Sequence, residues 1–274
     1  MNCILLPADH FSRPFAKISA ISQIEHINKV LGAKVGDTLK IGELGGNLGS
    51  AVIDKMTADS IQLRDVQLDK LPPAKLDVTV ILALPRPKVL RRLIMDMTAL
   101  GVRDIILINS YRTQKSYWQS PLLARLDEFV LEGLQQGIDT IAPGISLQKR
   151  FKPFVEDELA SLITHHAIVA HPYSEQSLLA YLRQLSLPSV SSLNEQPELA
   201  TADGYSVKEN PAVNTLETAL PSVVCIGAEG GWIDYEIELF AAQGCQAVNI
   251  GTRVLRTEAA VNVVLGHWLL HSSF

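Results

Sequence analysis

The sequence lacks the signatures by which the commonest nucleotide-binding α/β proteins are read. Neither G-x-G-x-x-G nor G-x-x-x-x-G-K-[ST] occurs in its 274 residues, which removes support for a dinucleotide fold and for a P-loop. Cysteine is scarce. Cys3, Cys225 and Cys245 stand far apart with no C-x-x-C, so neither a disulfide framework nor a zinc site is indicated, no metal is expected, and buried thiols are the expected state. No uninterrupted apolar run approaches the roughly 20 residues of a membrane span. The start MNCILLPADHF has neither a basic n-region nor a cleavage site, so a cytoplasmic protein without membrane contact is expected. A basic balance is missing too: 24 Lys and Arg against 29 Asp and Glu leave −5, which is not the usual footprint of a nucleic-acid binder. Internal repeats and coiled-coil heptads are absent.

What is present suffices for a large core, because 47% of the residues are hydrophobic. The length fits one large α/β domain, or a small domain followed by a medium one. The most unusual backbone demands fall between Cys225 and Leu270. There a β-branched run, Val223 to Ile226, stops at Gly227, with Gly230 and Gly231 close behind. Asp234 is the expected N-cap of a short helix that ends before Gly244. Ala247 to Ile250 reads as a second buried strand, Gly251 to Leu255 as a tight loop, and Thr257 as the cap of a closing helix. Glycines just past strand ends in an α/β unit are where ligands reach the backbone. Ordinary turns between helix and strand would explain any one of them. Two such loops beside Arg253, Arg256 and Glu258 form a more specific pattern.

Residues 1–73 alternate and turn like a small β domain. Thr38 to Ile41 and Ser50 to Ile53 flank a glycine-rich hairpin turn, Ser60 to Arg64 offers another strand, and Ile24 to Leu31 forms a short amphipathic helix before Gly32. Pro72-Pro73 forbids continuation of either element, which places a domain boundary there and a second domain at 74–274. Leu76 to Leu84 is the near-continuous apolar run of a strand buried on both faces of a parallel sheet. Val89 to Leu100 is helical, Gly101 caps it, and Asp104 to Ile108 is the next buried strand. Ser110 to Pro121 is a polar loop in which Arg112 and Lys115 alternate with Tyr111, Tyr117 and Trp118, a mixture that suits bases and phosphates and equally an exposed loop anchored by its tryptophan. Seven cations from Arg86 to Lys115 face only Asp96 and Asp104, a local positive excess on an acidic chain that solvated helix faces also produce. Ala167 to Ala170 is a buried strand ending at His171-Pro172. Residues 186–222, rich in Pro, Ser, Asn and Glu, read as a long surface insertion.

Ile226-Gly227-Ala228-Glu229-Gly230-Gly231, followed by Ile250-Gly251-Thr252-Arg253-Val254-Leu255-Arg256-Thr257-Glu258-Ala259, resembles the RsmE family of 16S ribosomal RNA uridine-N3 methyltransferases in the SPOUT superfamily. The likeness extends through Leu84 to Thr113 and through an N-terminal segment around His26. It implies a trefoil-knotted parallel-sheet domain preceded by a PUA-like β-barrel that contacts RNA. It also implies a homodimer, and S-adenosylmethionine held by His171, Pro172, Ile226, Gly227, Glu229, Gly230, Gly231, Ile250, Gly251, Val254 and Leu255. The RNA-facing set it implies is His26, Arg86, Lys88, Arg91, Arg112 and Gln136. The chain departs from the family at Ala228 and Thr252, usually proline. It departs again at Gly32 and Asp139, usually arginine, and at Met95-Asp96 and Ala99, usually glutamine-lysine and glutamate.

Methyl transfer from a sulfonium to uridine N3 spreads negative charge onto the flanking carbonyl oxygens, which a cation stabilises. Arg256 and Arg253 are the candidates, and Glu258, Glu229 and His171 the candidate proton acceptors. Either arginine has the alternative of pairing with Glu258 or with a partner chain, and Glu258 of merely favouring a helix N-terminus. The last helix, with Val261, Val264, Leu265, Trp268 and Leu269, is apolar nearly all round and calls for a second covering surface. A silent RNA-binding homologue, a SPOUT enzyme acting on another RNA, and a small-molecule α/β enzyme remain open alternatives.

Overall fold

The computed structural model describes residues 2–185 and 220–271. Nearly all of the expected 186–222 insertion lies outside the described residues.

The first layer is a mixed sheet of β1 (Ile4–Leu6), β2 (Phe11–Ser12), β3 (Phe15–Ile18), β4 (Thr38–Glu43), β5 (Leu48–Met56) and β6 (Ile61–Lys70). Its order is β1-β4-β5-β6-β3-β2, with β1 parallel to β4 and every other pair antiparallel. The edge strands β1 and β2 do not pair with each other, so the expected barrel is an open half-barrel. Period-2 alternation sets its inside: Ala16 and Ile18 of β3 are buried while Phe15 and Lys17 face out. Helix α1 (Ile21–His26) runs into a π-helical turn, Ile27–Leu31, and closes the core with Ile24 and Ile27. Gly32 ends it at φ 61°, a left-handed stop that favours glycine.

The second layer is a sheet of β7 (Leu76–Ala83), β8 (Val102–Ile108), β9 (Gly144–Gln148), β10 (Ala167–Ala170), β11 (Val223–Ile226) and β12 (Cys245–Val248), in the order β12-β10-β11-β7-β8-β9. Every pairing in it is parallel. Strand β7 shows why its sequence is continuously apolar. Val78, Val80 and Leu82 enter one core while Ile81 and Ala83 enter the other, so both faces are covered. Helices α2 (Pro87–Ala99), α3 (Leu126–Gly137), α6 (Leu178–Leu185) and α8 (Thr257–His271) contribute to the first core. The second core takes the short helices α4 (Phe151–Pro153) and α5 (Leu159–Leu162), the π-turn Phe154–Glu158 between them, and α7 (Asp234–Ala242). Phe151, Trp232 and Phe240 pack there as a ring cluster with centroids 5.0 to 5.9 Å apart.

Three local expectations shift, the first being that Thr257 opens α8 instead of capping it. The strand expected at Ala247 to Ile250 is Cys245–Val248, because Asn249 turns away to bond the loop beyond β10. Asp234 is the first residue of α7 rather than its cap, and the Glu236 carboxylate reaches back to the Ile233 N–H at 3.0 Å instead.

Candidate active site

Parallel pairing puts the C-terminal ends of all the strands at one edge of the second sheet. The sheet order reverses direction beside β7, the position where open α/β sheets accept ligands. The loops beyond β10, β11 and β12 enclose a cleft of about 210 Å³ there, closed at its base by Thr257 and Ala260 of α8. His171, Pro172, Ile226, Gly227, Glu229, Gly230, Gly231, Ile250, Val254 and Leu255 all line it, as does Arg253. Gly251, at φ 137°, makes the turn between Ile250 and Arg253 without lining the cleft itself.

Each loop is held by its neighbours. The His171 N–H donates to Val248 O at 2.9 Å, and the Asn249 side-chain amide donates to Ser174 O at 2.8 Å, which laces the β10 and β12 loops together. The β11 loop doubles back on itself: Gly231 N–H donates to Ala228 O at 2.9 Å, and a Cβ on Gly227 would lie 2.9 Å from Gly231 Cα. Thr257 Oγ1 donates to Gly227 O at 3.3 Å, tying that loop to α8.

A second cavity of about 400 Å³ adjoins the first, and Ala228, Glu229, Val254, Leu255 and Thr257 line both. Its remaining lining is Arg86, Arg256 and Glu258. Glu229 stands in the common wall. Arg86 holds it twice, through Nε at 3.2 Å and through its backbone N–H at 3.2 Å. Arg253 and Arg256 are exposed and form no ion pair among the described residues, so the pairing with Glu258 that the sequence allowed is not made. Glu258, half-buried, occupies the first turn of α8.

The residues assigned to RNA are not gathered in one place. Arg86 joins the second cavity, while Arg112 donates to Gly230 O and lines the first. Lys88 is exposed in the first turn of α2. Arg91 is bound to Glu132 of α3 at 2.6 Å and lines neither cavity. His26 is half-buried on α1, and Gln136 is exposed near the end of α3, its carbonyl accepting from the Asn2 amide at 2.9 Å. The single positive face suggested by residues 86–115 is therefore broken up. Arg92 pairs with Asp96 at 3.8 Å and Arg103 with Asp104 at 2.9 Å.

Glu236 was not singled out from sequence, although its place three residues after Ile233 is a capping spacing. It is 2% exposed, and besides Ile233 it accepts the Tyr111 N–H at 2.8 Å. One carboxylate thus joins the β8 loop to the β11 loop. Arg112 makes the second such tie.

Several features fit the first cleft to S-adenosylmethionine. The peptide N–H groups of Glu229, Gly230, Arg253, Val254 and Leu255 donate to no described residue, which leaves donors for a polar ligand. The buried indole N–H of Trp232, another lining residue, also has no partner among the described residues. Ile226, Ile250 and Leu255 supply the apolar part that a purine ring needs.

Fold and cleft define an α/β protein with its ligand site at the C-terminal strand edge. Residues 72–197 and 190–269 match the family model described as the RNA methyltransferase domain. The chain belongs to this family. It is 27% identical over 266 residues to the ribosomal RNA small subunit methyltransferase E of Treponema pallidum (strain Nichols), covering 95% of this chain and 87% of that protein. It is 28% identical to the protein of the same name from Synechocystis, covering 89% of this chain and 69% of that one. Among solved structures, ribosomal RNA small subunit methyltransferase E from Neisseria gonorrhoeae, bound to S-adenosyl methionine, superposes with a TM-score of 0.66 at 16% identity, covering 97% of this chain and 96% of that one. The likeness first drawn from two loops therefore extends over nearly the whole chain.

Proposed function

We propose that this chain transfers a methyl group from S-adenosylmethionine to N3 of a uridine in 16S ribosomal RNA of the small subunit. The observation that carries the reading is the pair of cavities with one common wall: a glycine-lined, partly apolar cleft for the donor and a cavity bearing Arg86 and Arg256 for the acceptor. The names of the relatives supply the RNA and its subunit. We assign residues 74–274 to the methyltransferase domain, with the loops beyond β10, β11 and β12 forming the trefoil knot, and residues 1–73 to an RNA-contacting domain. A cytoplasmic location accords with this substrate.

When bound, S-adenosylmethionine supplies a methyl group on an electrophilic sulfonium. The residues around it align donor and acceptor and exclude water. On the acceptor side a carboxylate would take the proton that N3 gives up on methylation. Glu229 and Glu258 line that side, whereas His171 lines only the donor cleft. Arg256, in no ion pair among the described residues, stabilises the charge developing on the uracil carbonyl oxygens in the acceptor cavity, with Arg253 nearby on the donor side.

The homodimer belongs to the same proposal. Of the apolar residues on α8, Val261, Val264, Leu265 and Trp268 are already buried within the chain, leaving Val263 at 46%, Leu269 at 43% and Leu270 at 67% exposure for a second copy. Light scattering is expected to give a dimer for the wild type and a monomer for Val263→Glu/Leu270→Glu. A wild-type monomer at micromolar concentration rejects the interface.

The deciding assay transfers labelled methyl from S-adenosylmethionine to small subunits from cells lacking this activity, with the product identified by mass spectrometry. A 3-methyluridine in 16S RNA is expected. S-adenosylmethionine binding without transfer to that RNA rejects the substrate, and absence of binding rejects the enzyme.

A further inference from the structure

Cations in the parallel-sheet part divide into two groups. Arg91, Arg92, Arg103, Arg125 and Lys152 are spent in ion pairs with neighbouring carboxylates. Lys88, Arg112, Lys115, Lys149 and Arg150 are exposed and form no ion pair among the described residues. These five share a location that the other exposed cations without an ion pair among the described residues, Arg183 of α6 and Arg253 and Arg256 beyond β12, do not: each follows the C-terminal end of β7, β8 or β9, the three neighbouring strands at one side of the sheet. Asn109 N–H donating to Gln148 O at 2.9 Å keeps the β8 and β9 exits side by side.

Tyr111 sits in the middle of this row with 79% of its surface exposed. Its backbone is not free to follow the ring into water by chance. Tyr111 N–H is held by buried Glu236, Ser110 and Thr113 are hydrogen-bonded at 2.9 Å, and Thr113 Oγ1 donates to Leu84 O at 3.3 Å. Trp118 pins the far side of the loop through Asn109 at 2.8 Å. A fixed backbone that presents a bare aromatic ring amid unpaired cations suits a stacked base with its phosphates tracked on either side.

We infer that this edge binds a single-stranded RNA segment next to the target nucleotide. Its phosphates cross Lys149, Arg150 and Lys115, and a flanking base stacks on Tyr111 before the target enters the cavity beside Arg86. Three interstrand steps of about 4.8 Å separate the β9 exit from the β11 exit, so the track is on the order of 14 Å long. That suits a few nucleotides of a loop rather than a duplex, whose bases are not open to stacking. The inference rests on the proposed RNA methylation and adds the strand's path and state.

The test measures binding of the full-length protein to a labelled single-stranded oligouridine and to a duplex RNA over a range of salt, with S-adenosylmethionine affinity by calorimetry as the control for folding. Tyr111→Ala is expected to weaken oligouridine binding roughly 5- to 100-fold with its salt slope unchanged, and Tyr111→Phe to keep the affinity. Lys149→Ala/Arg150→Ala is expected to reduce the slope of log K against log salt by about 1.4, at ~0.7 per phosphate contact on a single strand. Wild-type binding to Tyr111→Ala, an unchanged slope in the double variant, or a preference for the duplex overturns the inference while methyl transfer by the wild type stands. A wild type that neither binds oligouridine nor methylates small-subunit RNA overturns this inference and the proposed function together.

Discussion

At the scale of single residues, Gly227 carries a sharper demand than Gly230, which the motif alone makes look equivalent. A Cβ at Gly230 would press on the Arg112 side chain at 2.8 Å, whereas one at Gly227 would meet backbone, Gly231 C at 3.1 Å and Trp232 N at 3.2 Å. Backbone in a doubled-back turn cannot yield without opening the cleft. Gly227→Ala is therefore expected to weaken S-adenosylmethionine binding by more than about tenfold, or 1.4 kcal/mol, by calorimetry. Unchanged affinity would remove the β11 loop from the cofactor site. Gly230→Val is expected to abolish binding as well, through Arg112. Arg256→Ala is expected to lower kcat by ~100-fold or more while leaving cofactor affinity within about twofold, since its charge is needed only as the acceptor ionises. Equal losses in both would make it a cofactor ligand. The two glycine loops and their arginines were readable because glycine and charge patterns are local. The meaning of the departures was not. Gly32, where the resemblance expects an arginine, stops a helix at positive φ, and Asp96 accepts the Asn262 amide of α8 at 3.3 Å. A sequence shows which residue is replaced, but not the partner its replacement gains.

At the scale of elements, the β7–α2–β8 unit was legible because three signals agree: a continuous apolar strand, a 3.6-residue stripe and a glycine stop. The stretch at 151–162 was not, because Pro153 argues against a helix interior. The structure places that proline in the opening turn, where its missing N–H costs little, and relaxes the next turn to a π-helix. β1 to β3, of two to four residues each, are too short for alternation to register. Helix α7 shows how an element can serve the site from below. Its buried Glu236 accepts N–H groups from two loops, so Glu236→Ala strands both donors. A loss of about 2–6 kcal/mol in urea denaturation is expected, at ~1–3 kcal/mol for each of the two unsatisfied groups. Cofactor affinity should fall with it, since the loops lose their common anchor. Full stability in Glu236→Ala would show that water replaces the carboxylate and that the tie is dispensable.

For the whole molecule, Pro72-Pro73 made a division visible and gave no hint of how firmly the two sheets are joined. Asn2 and Cys3 N–H groups both reach Gln135 O, at 2.9 and 3.2 Å, and the Gln23 side chain bonds that of Gln135 at 3.1 Å. Cys3, just before β1, and Leu5 and Leu48 of the first sheet lie in one apolar cluster with the helices of the second. Burial holds the Cys3 thiol up to about 11, so it behaves there as a small apolar group. Lys75, in the connection itself, is clamped on Asp139 with their side chains only 15% and 4% exposed. Asp139 stands where the resemblance expects an RNA-facing arginine, so this position has become part of the joint. Removing one partner of a buried pair leaves the other charge uncompensated, and Asp139→Ala is expected to cost about 3–5 kcal/mol. The same joint predicts how the chain unfolds. Peptides from 38–70 and from 76–108, followed by hydrogen exchange at rising urea, should lose protection together in the wild type. In Asp139→Ala the first segment should open at lower urea than the second, because its own core is small. Separate opening already in the wild type would mean that the contacts across the connection contribute little, and that the two sheets are held beside one another by the chain alone.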